Sequence, residues 1–188
     1  MSGQPAVFLD RDGVLIREVH YLSKLKDMRI YDDVPAGIKR LKATNRKLIM
    51  VTNQSGIARG YFSEAFVHKI FVEMNRILAK EGAALDAMYF CPHHPDGKEP
   101  LNIHCDCRKP KPGMIRQAYK DHGIDLRRSY MLGDKICDIE LAIHSGIKGI
   151  LLETGYGASL ATQIASEYPK TPIVRNFTQA VDVILGSL

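Results

Sequence analysis

Ala6-Val-Phe-Leu-Asp10-Arg-Asp12-Gly-Val-Leu15 is an apolar strand that ends in two carboxylates one residue apart, followed by a glycine. In an extended strand end, residues i and i+2 point the same way. Asp10 and Asp12 are therefore expected to project together from the carboxyl edge of a parallel sheet, where open α/β folds bind ligands. Gly13 lets the chain turn sharply just beyond them. Such a pair suits a metal ion and a phosphate, since one Asp can act as nucleophile and the other as proton donor and then base, each in its own environment. Asp-x-Asp-Gly also occurs in ordinary acidic turns and opens calcium loops, but here a strand precedes it and no Glu follows at the calcium-loop position.

Outward from this stretch, short apolar runs alternate with helical patterns, as in βαβ units around a parallel sheet. Strands are expected at Ala6 to Leu9, Lys47 to Thr52, Ala87 to Cys91, Ser129 to Leu132, Gly149 to Leu152 and Pro172 to Val174. Helices are expected near Pro35 to Thr44, Ser63 to Glu81, Met114 to His122, Ile136 to His144, Ser159 to Glu167 and Phe177 to Leu185. Pro35 suits a first helical turn, Ser63 a helix start and Gly186 a helix stop. Cys91 to Pro112 breaks the pattern: it is rich in Pro, His, Cys and Lys without an apolar period, a long loop that needs its own source of order.

The fold class expected is α/β, a doubly wound parallel sheet in a single domain over residues 1–188, since 188 residues with 45% hydrophobic content can bury one substantial core. The net charge of +5 comes from 26 basic against 21 acidic residues, with no extended basic block and no aromatic-rich basic stripe. That balance argues against a nucleic-acid partner, the reading that a zinc-stabilised nucleic-acid-binding module would require, and favours attraction for a small anionic substrate. The first residues lack the n-region and h-region of a signal peptide, and no apolar run approaches the roughly 20 residues needed to span a bilayer. The expectation is a cytoplasmic protein with no membrane partner, acting as a monomer. Four cysteines, two of them separated by one residue, suggest metal binding over a disulfide scaffold.

Further polar groups fall at strand ends. Val51-Thr52-Asn53-Gln54-Ser55-Gly56 supplies hydroxyls, amides and backbone N–H groups able to grip phosphoryl oxygens, although the same residues favour plain turns. In Cys107-Arg108-Lys109-Pro110-Lys111-Pro112-Gly113, prolines stiffen a cationic loop. Lys109 is the candidate point charge, with Lys111 its rival, and Arg108 offers a planar fork to a second anionic group. Leu132-Gly133-Asp134-Lys135-Ile136-Cys137-Asp138 places Asp134 as an additional magnesium ligand. Asp138 is expected to hold a metal-bound water or Lys135, or else to act as a helix-start acid. Cys137 reads as a packed or helix-start thiol.

Cys91-Pro92-His93 and Cys105-Asp106-Cys107 form two short ligand pairs eleven residues apart, suited to a closed tetrahedral zinc site that is structural and fixes Arg108 and Lys109. His93 is chosen because its spacing to Cys91 mirrors the Cys105/Cys107 pair, with His94 and His104 as alternatives.

Taken in order, the Asp-x-Asp strand end, Thr52, Lys109 and Asp134 resemble the four motifs of the haloacid dehalogenase superfamily of phosphohydrolases. Cys91-Pro-His-His-Pro95 and Cys105-Asp-Cys-Arg-Lys-Pro110, with Gly133-Asp-Lys135, resemble its branch of heptose bisphosphate phosphatases and histidinol-phosphatase domains. The resemblance covers nearly the whole chain and implies a Rossmann-like domain with little or no cap. It implies Asp10 as nucleophile, Asp12 as acid/base, and Thr52 and Lys109 as phosphoryl stabilisers. Arg108, Glu18, His20, Tyr21, Asn53, Gln54, Ser55 and Lys135 become substrate contacts. Magnesium is implied at Asp10, the Asp12 carbonyl and Asp134, and zinc at Cys91, His93, Cys105 and Cys107. The implied reaction removes the C7 phosphate of D-glycero-D-manno-heptose 1,7-bisphosphate, a phosphorylated sugar, in the supply of ADP-heptose for lipopolysaccharide core or of GDP-heptose. Histidinol phosphate is the rival substrate.

Overall fold

The computed structural model describes residues 3–186. Six parallel strands form one sheet in the order β3-β2-β1-β4-β5-β6: β1 Ala6–Leu9, β2 Lys47–Asn53, β3 Ala87–Cys91, β4 Tyr130–Gly133, β5 Lys148–Leu152 and β6 Ile173–Val174. Each lies within one residue of its expected bounds. The helices are α1 Val34–Lys42, α2 Glu64–Lys80, α3 Gly113–His122, α4 Ile136–His144, α5 Gly157–Glu167 and α6 Phe177–Leu185. Ser63 caps α2 by accepting from the Phe66 N–H at 3.2 Å, and Asn176 caps α6 by accepting from the Gln179 N–H at 3.0 Å. Gly123 and Gly186 end α3 and α6 in the left-handed conformation, with φ of 60° and 71°.

Alternation along β1 and β2 explains why the sheet is covered on both faces. Val7, Leu9, Leu48 and Met50 pack with α1, α2 and α6, whereas Ala6, Phe8, Ile49 and Val51 pack with α3 and α4. A smaller cluster of Ile139, Leu151 and Ile164 seats α5. Each fully buried large side chain contributes about 1.5–3 kcal/mol by leaving water, so β1, apolar and buried along its whole length, is the rigid centre of the fold.

β1 pairs with β2 on one side and β4 on the other. The chain runs outward from β1 through β2 to β3, then crosses back to β4. The crevice outside the carboxyl ends of β1, β2 and β4 is therefore the topological switch point where ligands bind in such sheets. Among the described residues no separate cap domain stands over it. The 21 residues between β3 and α3, Pro92 to Pro112, contain neither helix nor strand. No described helix is long and apolar enough to cross a membrane.

Candidate active site

Asp10 sits one residue past β1 and is 3% exposed. The Arg11 N–H at 2.7 Å and Lys109 Nζ at 2.9 Å both fall on its Oδ1, which fixes the rotation of the carboxylate. Burial pushes the Asp10 pKa up, but the charges of Lys109 and Lys135 and hydrogen bonds from Lys109 and Thr52 outweigh it, so the net shift is downward. An ionised, buried and oriented carboxylate at a strand end can serve as a nucleophile.

Lys109 reaches this point from the long loop. Its Nζ donates to the Val51 carbonyl at 3.1 Å and pairs with Asp138 Oδ1 at 2.7 Å. Burial favours the neutral amine, but Asp10 and Asp138 overcome it and raise the pKa, so the side chain stays charged. Of the readings of Asp138, the helix-start acid is found, and the pairing with the Lys135 side chain is not. The Lys135 side chain turns away to Glu18 and Asp134, and Asp138 instead holds Lys109, while its Oδ2 accepts from the Lys135 backbone N–H at 3.1 Å. Loop and helix start are thus joined by a buried ion pair.

Asn53 lines the cleft and also holds the loop. Its amide donates to the Lys109 carbonyl at 3.1 Å and accepts from the Lys109 N–H at 2.9 Å, clamping the loop backbone to β2. The Gln54 amide donates to Thr52 Oγ1 at 3.0 Å and to Asp12 Oδ2 at 3.3 Å, tying the hydroxyl to the second aspartate. Arg11, which no motif singled out, is 3% exposed, and its Nε and Nη2 form a fork on Asp12 at 2.7–3.1 Å. Its position between two acids was the available signal, but local spacing gave no sign of its burial.

Asp134 follows β4 and is fully buried. Its Oδ2 accepts from the Tyr156 N–H at 3.0 Å, while Oδ1 lacks a hydrogen bond and lies 3.2 Å from Lys135 Nζ. Burial, reinforced by Asp10 and Asp138 and opposed by Lys135, pushes its carboxyl up to about 7. A bound cation would relieve that cost. Asp10, Asp134 and Asp138 offer oxygens within 4.8 Å of one another, but Asp138 already holds Lys109, which leaves Asp10 and Asp134 as the pair fitted to a hard divalent ion. The backbone beside Asp12 approaches closely. A Cβ on Gly13 would lie 2.1 Å from Asp134 Oδ2, and one on Gly155 2.2 Å, so glycine is required at both positions. Gly13 turns there with φ of +79°.

A cleft of about 240 Å³ opens over these groups, lined also by Glu18, His20, Tyr21, Ser55, Arg108, Lys135 and Tyr156. Several of its polar groups already have protein partners. Glu18 Oε1 accepts from the His20 N–H at 2.6 Å and Oε2 lies 3.3 Å from Lys135 Nζ. Arg108 donates to the His93 carbonyl at 3.2 Å, so its guanidinium is braced by the neighbouring cysteine and histidine cluster. Lys111 is absent from the cleft lining. Cys137 lines the floor as a thiol, its pKa raised to about 12 by burial and by Asp138.

The long loop gathers Cys91, His93, Cys105 and Cys107, with neighbouring donor atoms 3.1–3.7 Å apart. Tetrahedral zinc with Zn–S bonds of ~2.3 Å has edges of about 3.7 Å, so the set suits that ion. The hydrogen bond between Cys91 and Cys107 holds the Cys107 thiol down, at about 5, and pushes Cys91 up, so one proton is shared between them that a zinc ion would displace. His94 lies outside the cluster, against Arg59 and Asp96, and His104 is exposed.

A family described as HAD-hydrolase-like matches residues 106–180. A D-glycero-beta-D-manno-heptose-1,7-bisphosphate 7-phosphatase of Haemophilus ducreyi is 44% identical over 155 residues, 81% of this chain and 85% of that protein. A D-glycero-alpha-D-manno-heptose-1,7-bisphosphate 7-phosphatase of Photorhabdus laumondii is 41% identical over 160 residues, 84% of this chain and 87% of that one. The crystal structure of D,D-heptose 1,7-bisphosphate phosphatase from B. bronchiseptica, complexed with magnesium and phosphate, superposes with a TM-score of 0.86 at 30% identity, covering 98% of this chain and 99% of that one. Sheet order, strand-edge carboxylates and sequence similarity agree, and the chain belongs to the D-glycero-D-manno-heptose-1,7-bisphosphate 7-phosphatase family of HAD-like phosphatases.

Proposed function

We propose that this cleft removes the C7 phosphate of a D-glycero-D-manno-heptose 1,7-bisphosphate and so serves heptose biosynthesis. The observation that carries the reading is the Asp10 carboxylate, buried and held ionised by Lys109 Nζ at 2.9 Å, with Asp12 two residues on. Asp10 attacks phosphorus in line, forming an aspartyl-phosphate, while Asp12, turned out of the Arg11 fork and protonated, gives its proton to the departing sugar oxygen. Asp12 then takes a proton from the water that hydrolyses the intermediate. Lys109 and Thr52 offset charge on the phosphoryl oxygens, and Arg108 offers its fork to the distal phosphate. Magnesium held by Asp10, Asp134 and the Asp12 carbonyl would supply further charge neutralisation at the phosphoryl group. Zinc at Cys91, His93, Cys105 and Cys107 is assigned a structural role.

Magnesium-dependent phosphate release from both anomers of the heptose bisphosphate, and from histidinol phosphate, tests the reading. One bisphosphate anomer is expected to lead, and Asp10→Asn to lower kcat by at least about 10⁴-fold, the scale of losing a nucleophile. Preference for histidinol phosphate would overturn the substrate, and turnover surviving in Asp10→Asn would overturn the nucleophile.

A further inference from the structure

Tyr156 lies just before α5, outside every motif that marked the cleft, yet it makes three separate contacts there. Its backbone N–H donates to Asp134 Oδ2 at 3.0 Å, its ring lies 5.0 Å from Lys135 Nζ, and its hydroxyl lies 3.2 Å from His20 Nδ1. The last contact joins the loop after Gly13 to the turn after β5, 136 residues apart in sequence. His20 is held with φ of +66°, a left-handed conformation that costs a residue with a Cβ roughly 1–2 kcal/mol. Three contacts hold it at the exposed rim of the cleft: Glu18 Oε1 accepts from its N–H at 2.6 Å, the Tyr156 hydroxyl meets its ring nitrogen, and Tyr21 packs edge-on at 4.9 Å. Strain kept in this way beside a cleft is a mark of a working position. Glu18, His20 and Tyr156 line the cleft beside Asp10 and also a second depression formed with Arg17, Val19, Tyr31 and Gly155. They are the partition between the two.

We propose that Tyr156 is a positioning residue: its hydroxyl holds the His20 imidazole as the far wall of the cleft, and the pair sets how the non-reacting end of the sugar bisphosphate is seated relative to Asp10. This rests on the substrate reading above. Asp10, Thr52 and Lys109 handle the phosphoryl group of any monoester. Only a substrate long enough to reach the wall draws binding energy from it, so the contribution falls on discrimination between substrates.

Tyr156→Phe tests this, because it deletes one oxygen and keeps both the ring beside Lys135 and the N–H on Asp134. The readout is kcat/KM for the preferred heptose bisphosphate divided by kcat/KM for p-nitrophenyl phosphate. Tyr156→Phe is expected to lower this ratio about tenfold, mainly through the KM of the bisphosphate. His20→Gly, which takes up the positive φ without strain, is expected to do the same, and the double variant to fall no further. A ratio within about twofold of wild type, equal losses on both substrates, or additive losses in the double variant would overturn the proposal while leaving the substrate reading intact. Wild-type enzyme with no preference for the bisphosphate would overturn both.

Discussion

The strand edge around Asp10 and the loop around Cys107 both crowd polar side chains, yet they are ordered by opposite means. Asp10, Thr52, Asp134 and Asp138 rest on strands and a helix start whose apolar residues are mostly buried, so the sheet itself fixes them. Pro92 to Pro112 has no helix, no strand and little apolar content, and what gathers it is one cluster of three cysteines and an imidazole. Lys109 belongs to both regions. It is two residues from Cys107 in the chain, but its ammonium group is buried among Asp10, Asp138 and the Val51 carbonyl. The difference suggests that losing metal from the loop disorders the cation without dissolving the sheet.

The largest expected effect breaks the loop alone. Cys105→Ser with Cys107→Ser is expected to abolish zinc binding and to lower kcat/KM by about 10²–10³-fold, the scale of removing one positioned phosphoryl stabiliser. Hydrogen exchange should then show protection lost across 92–112 and retained in β1, β2 and β4. Loss of protection in the strands as well would mean that the two regions form one cooperative unit. An intermediate effect is expected where the regions meet. Asp138→Asn leaves buried Lys109 with one carboxylate instead of two and should cost about 3 kcal/mol. In a chain this size that is a fall of roughly 6–12 °C in Tm by thermal denaturation. A shift under about 2 °C would mean that Asp10 alone satisfies Lys109. The smallest effect serves as a control on the outer side of the loop. Arg116 pairs with Asp106 where both side chains are more than half exposed, so Arg116→Ala should move Tm by less than about 2 °C with zinc content unchanged.

Much of this arrangement was readable along the chain. Alternation of apolar runs located all six strands, and Asp10, Thr52 and Asp134 fall at the strand ends where the pattern put them. Cys91, His93, Cys105 and Cys107 come together as their mirrored spacing suggested. Other features left no local trace. Asn53 reads as an amide for phosphoryl oxygens, and only the fold brings the Lys109 backbone against it as well. Arg11 drew no reading from its spacing, and it is the fold that buries it on Asp12. Tyr156 belongs to no motif.

The sequence by itself determined the fold class, the strand-edge aspartates and the zinc-type ligand set, because each is written in short-range periodicity or spacing that a few neighbouring residues enforce. Tertiary structure alone decided the partner of Asp138, the clamp of Asn53 on Lys109, and the meeting of Tyr156 with His20. Those contacts join segments far apart in the chain. Sheet order sets all three, and for the Lys109 contacts burial makes an unpaired charge costly and so selects among partners that sequence spacing cannot rank.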